Sequence, residues 1–220
     1  MAIKLATYDG TVFENLNELD DARKQFLDKG AEKYLVKLGE VVYRHGLENA
    51  VGITMAHRHF HVKHDEQLVE EVQHNSSVIK PVTNVNNKEV IPFTWKLSKS
   101  EDGDFLWYPL EFVKSNTLSK ESIHNEELLR NSYDFLNEFT NSLIEFGLEN
   151  VFGLCIVHRE FQVLPSEMLV ESLEEGSRTL SFKVIPGRNL TNTVLIPTFW
   201  RFGKKGEALQ AEAWKHCVGH

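Results

Sequence analysis

Two segments of this chain align without a gap: GLENAVGITMAHRHFHV over residues 46–62 and GLENVFGLCIVHREFQV over residues 147–163. Similar sequence reaches similar local structure, so a chain that repeats itself about a hundred residues apart is most simply read as two like units. The likeness extends outward. YLVKLGEVVYRHG (34–46) matches FLNEFTNSLIEFG (135–147) in apolar pattern. PVTNVNNKEVIPFTWK (81–96) and PGRNLTNTVLIPTFWR (186–201) share the skeleton P-x-x-N-x-x-N-x-x-x-I-P-x-x-W, followed by Lys96 or Arg201. The ends repeat more weakly, and the spacing aligns Glu111 with Glu212 and Lys114 with Lys215.

Each half reads in the same order. Leu27, Ala31, Tyr34, Leu35, Leu38, Val42 and His45 recur at helical spacing, as do Leu129, Leu136, Phe139, Leu143 and Phe146. Gly46 and Gly147 follow where a left-handed helix cap is expected. GITMAHRHFHV and GLCIVHREFQV then read as strands. HDEQLVEEV and PSEMLVESLEE are ambiguous between short helix and strand. Three further strands follow around 77–82 and 179–185, EVIPFTWKL and VLIPTFWRF, and the chain end of each half. A proline inside I-P-x-x-W implies an edge or a bulge.

The expected fold is therefore α+β: an internally duplicated helix-plus-four-strand unit, mostly antiparallel, forming one pseudo-twofold sheet, sandwich or barrel. The first repeat with its N-terminal extension covers 1–114, a crossover linker 115–121, and the second repeat 122–220. A chain of 220 residues can bury the core that such a domain needs.

Charge narrows the partners. With 24 Lys and Arg against 32 Asp and Glu, the formal charge is −8, which argues against nucleic acid. No apolar run is long enough for a membrane helix, and the N-terminus lacks a leader pattern. The expectation is a soluble, cytoplasmic protein with two reduced thiols. Cys155 reads as a core residue and Cys217, near the end, as incidental. P-loop, GxGxxG, GxSxG and CxxC patterns are absent from the sequence.

HRHFHVKH (57–64) holds four histidines. On an extended strand His57, His59 and His61 share one face, and His-x-His spacing can chelate Zn or Fe. The pairs shared by both segments, His57–Arg58 and His158–Arg159, form the expected catalytic set. Two arginines can clamp a small anionic or polar ligand, with the histidines as acid and base near neutral pH. The competing reading makes each arginine a buried strut bound to its own half's Glu111 or Glu212, or to the carbonyls after the GLEN turn. Function accordingly divides between a His/Arg-lined enzyme or small-molecule-binding protein, metal-dependent or not, and a non-enzymatic interaction or scaffold protein.

Overall fold

The computed structural model describes residues 4–74, 76–157, 163–164, 166–174, 176–187 and 194–219. Three helices open the chain: α1 (Gly10–Glu14), α2 (Leu19–Asp28) and α3 (Glu32–Arg44). Five strands follow, β1 (Val51–Met55), β2 (Glu66–Gln73), β3 (Ser76–Thr83), β4 (Val90–Lys99) and β5 (Phe105–Lys114). After α4 (Lys120–Asn131) and α5 (Tyr133–Phe146) come β6 (Phe152–Ile156), β7 (Glu167–Leu173), β8 (Leu180–Pro186), β9 (Leu195–Lys205) and β10 (Ala208–Val218).

All ten strands close into one barrel in the order β1-β6-β4-β5-β2-β3-β8-β7-β10-β9, with β9 pairing back to β1. Only β2–β5 and β7–β10 run parallel; the other pairs are antiparallel. Closure gives every strand a neighbour on both sides over part of its length.

This corrects the expected α+β class and the internally duplicated helix-plus-four-strand unit. The segments that read as either helix or strand form β2 and β7, so each half contributes five strands. Strands from the two halves interleave around the barrel, and neither half closes a sheet alone. The expected linker is also structured. Ser115–Thr117 is a short 3-10 turn, and the Ser119 hydroxyl accepts from Ser122 N–H to cap α4.

Helices α3, α4 and α5 pack against β1, β4, β6, β9 and β10, and α3 packs on α5. Leu38, Leu136, Phe135 and Phe139 are fully buried in that layer, and the Trp107 indole donates to Thr140 of α5 at 2.9 Å. Trp95 and Trp200 are core anchors, the latter stacked on Phe26 at 5.5 Å. Both prolines of I-P-x-x-W sit at register breaks. The β4–β5 pairing slips between Pro92 and Trp95, and β9–β10 slips opposite Ala213–His216. A proline has no N–H to give to the ladder, and a bulge is one way a strand accommodates it.

The glycines of the repeated segment have separate causes. Gly46 and Gly147 adopt φ of 68° and 66° after α3 and α5. Gly153 allows β4 to approach, because a Cβ there would lie 2.3 Å from the Trp95 carbonyl oxygen. Gly153→Ala must push two backbones apart, and it is expected to cost about 2–3 kcal/mol of unfolding free energy, read as a lower urea midpoint at unchanged slope.

Candidate metal centre

Strand β1 stops at Met55 because its partner β6 begins at Phe152, which is Met55's own pairing partner. One more backbone bond, Ala56 N–H to Val151 O, finishes the pairing. The histidines beyond it therefore lie on a loop, and a common strand face for His57, His59 and His61 does not form. The loop is held from outside. Arg58 N–H donates to Asn17 O, and its guanidinium donates to Glu14 O at 2.6 Å and lies 3.2 Å from His61 Nδ1.

Arg58 is thus a tie between the loop and the α1–α2 connection, with Glu18 at 3.8 Å, and its partner is neither Glu111 nor Glu212. His61 is exposed and turned to Arg58. His158 and Arg159 lie outside the described residues. The expected match of Glu111 with Glu212 is also replaced. Glu111 pairs with Leu68 of β2 and Lys215 with Leu169 of β7, so Lys215 takes the corresponding place. Glu212 lies three residues earlier, exposed, 4.0 Å from Arg201.

Inside the barrel mouth, four ligating side chains converge: His57, His59, Glu171 and Cys217, whose donor atoms all lie within 4.8 Å of one another. His57 Nε2 is 3.2 Å from His59 Nε2 and 3.5 Å from Cys217 Sγ. Glu171 Oε1 is 3.0 Å from His59 Nε2, and Cys217 S–H donates to Glu171 Oε2 at 3.2 Å. A tetrahedral ion with nitrogen at ~2.0 Å and sulfur at ~2.3 Å has N···N edges of roughly 3.3 Å and N···S edges of roughly 3.6 Å. The two measured edges from His57 match that frame.

The surroundings prepare the donors. The Met55 carbonyl accepts from His57 Nδ1 at 2.8 Å, which puts the proton there and leaves Nε2 as a bare lone pair. Part of His57 reaches the surface, but its ring is enclosed. Desolvation, with the neighbouring His59, lowers its pKa to about 4, so it is neutral at pH 7. Burial alone would raise Glu171, yet Lys215, 2.8 Å from Oε2, and His59 outweigh it and hold the carboxyl well below its usual range. Burial and the Glu171 charge push the Cys217 thiol up, and the Thr198 hydroxyl lies 3.3 Å from its sulfur.

Compared with protein-family models, with curated proteins and with solved structures, the chain matches none. The chemistry of the group rests on its own geometry.

Two of the four residues, Glu171 and Cys217, were missed from the sequence. Leu68-Val69-Glu70 and Leu169-Val170-Glu171 share a glutamate in an apolar strand, a signal that a charge is carried inward. Cys217 had no such signal, since it joins the histidines only through closure of β10 onto β7 and β9.

The histidine loop is also clasped from β7–β8. Arg178 donates to both oxygens of Glu66, at 2.5 and 2.8 Å, and Lys63 N–H donates to Glu66 at 2.9 Å. The Arg178 hydrogen bonds lower the Glu66 pKa to about 2. A depressed folded pKa stabilises above the unfolded value near 4.5 and is lost as pH falls towards 2. Because Arg178 is 41% exposed, solvent screens the pair and keeps its contribution small. Chemical denaturation at pH 6 and pH 3 should show that loss in the wild type and a flatter dependence in Glu66→Gln.

Proposed function

We propose that this chain is a metalloprotein, holding one divalent zinc or iron ion on His57, His59, Glu171 and Cys217. In this reading it acts as an enzyme or binding protein on a small polar molecule in the reducing cytoplasm. The observation that carries the reading is the convergence of two nitrogens, a carboxylate and a thiol from three separate parts of the chain. An N₂OS set suits borderline ions and not magnesium or calcium, which favour six or more oxygens.

Charge supports it independently. Glu171 is 2% exposed and Glu111 lines the same interior space. Lys215 faces Glu171 there. A second carboxylate beside that pair is costly to keep charged unless it takes up a proton or a metal ion shares its charge. When bound, the ion would supply Lewis-acid polarisation. The chain's own residues set the rest: Met55 fixes the His57 tautomer, and Lys215 occupies Glu171 Oε2 while Oε1 faces His59.

A cleft of about 140 Å³, lined by Glu18, Leu19, Asp20, Asp21, Arg58 and His59, gives a small molecule its approach. A structural role for the ion in a non-enzymatic protein is the second reading, favoured by the fact that four protein donors can complete a tetrahedron by themselves.

No helix among the described residues is long and apolar enough to cross a membrane. The two cysteines are free, consistent with the reducing setting proposed here.

Full-length protein without an affinity tag should take up one Zn²⁺ or Co²⁺ per chain. Because the Cys217 thiol is held protonated, uptake at pH 7 should release about one proton per ion, measured by calorimetry in two buffers. His57→Ala should weaken binding by about a hundredfold or more. Cys217→Ser should abolish the proton release, and unchanged affinity in both variants would exclude this site.

A further inference from the structure

A small space of about 20 Å³ lies against the histidine pair. His57, His59, Glu171 and Lys215 line it, as do Thr94 of β4 and Glu111 of β5. Strands β4 and β5 stand on the opposite arc of the barrel from β7 and β10. A space of this size holds a single water when two to four polar groups can bond it. The polar wall here joins the four-donor group to one further carboxylate.

Resting on the metal reading, we infer that this space holds a water consumed in the reaction, and that Glu111 takes its proton in the hydrolysis of an uncharged or cationic ester or amide. An O–H bond of water breaks and its proton passes to the Glu111 carboxylate. The oxygen keeps the electron pair and bonds to the acyl carbon. The C–O or C–N bond then breaks, and Glu111 returns the proton to the leaving alcohol or amine. Nothing is oxidised or reduced.

The surroundings of Glu111 support the assignment. Thr94 donates to Glu111 Oε2 at 2.8 Å, which orients the carboxylate and leaves Oε1 for a second bond. Burial raises the carboxyl above its ordinary range, and Glu171 and Glu70 add to that rise, while Lys215 and the Thr94 hydroxyl oppose it. Cys155, 3.7 Å from Thr94 Oγ1, completes the titratable neighbours and is itself pushed up to about 12 by burial. A base working near neutral pH needs a raised carboxyl of this kind.

The outer cleft shares Arg58 and His59 with this inner space, which places a small molecule in the cleft beside the histidine pair. Glu18, Asp20 and Asp21 around the cleft disfavour an anionic substrate.

The test uses the full chain loaded with Zn²⁺ or Co²⁺ and 4-nitrophenyl acetate as the probe, from pH 5 to 9. Glu111→Gln should keep one ion per chain and lose about a hundredfold or more in rate, together with the acidic limb of the pH profile. Glu111→Asp should restore part of the rate. In the Co²⁺ protein the pH midpoint of the visible spectrum should move or vanish in Glu111→Gln, and should move in Thr94→Val. A purely structural Glu111 would lower the melting temperature and leave that midpoint in place. Metal uptake with a wild-type rate and midpoint in Glu111→Gln overturns the inference alone, as does a loaded wild type that hydrolyses no faster than free metal. Absence of uptake by the wild type overturns the metal reading and this inference with it.

Discussion

Inside the barrel, Lys215 and Glu171 form an ion pair of 2.8 Å, and the arrangement of the site follows from it. Two charges removed from water are tolerated only when geometry and further hydrogen bonds compensate their desolvation. Lys215 holds one oxygen of Glu171, the other reaches His59, and His59 in turn meets the bare nitrogen of His57. Cys217 closes the group from the last strand. Removing Lys215 would leave Glu171 as an uncompensated buried charge, so the pair ties the stability of the barrel mouth to the placement of the ligating atoms.

The barrel makes this concentration of polar groups affordable. Its strands pair into one closed ring, and the large apolar side chains, Trp95, Trp107, Phe135, Phe139 and Phe152, fill the core. The polar cluster is confined to one region, where β1 ends and the histidine loop begins. That loop has little regular structure of its own. It is held by Arg58 against the α1–α2 connection and by the Glu66–Arg178 pair from β7–β8. Rigid strands thus supply Glu171, Cys217 and Glu111, while a clasped loop supplies His57 and His59.

Much of the local structure can be read from residue patterns. The helical spacing of Leu35, Leu38 and Val42 appears as α3, the positive φ of Gly46 and Gly147 follows the helices, and Pro92 and Pro197 mark breaks in register. The histidine pair was also visible, because His57 and His59 are close in sequence wherever the chain runs. His61 failed for a local reason: the strand ends at Met55 when its partner runs out, so strand alternation no longer governs the residues beyond.

The sequence by itself determined α3 and α5, most of the strands, the turn glycines and the closeness of His57 and His59. These depend on interactions among residues a few positions apart, and patterns of period two or 3.6 record them. Only the tertiary structure decided the closed barrel, the interleaving of the halves, and the meeting of Glu171, Lys215 and Cys217 with the histidines. Those contacts join residues more than a hundred positions apart through strand register. A shift of one residue in register would turn each side chain to the other face, and one sequence does not display the long-range pairing that excludes it.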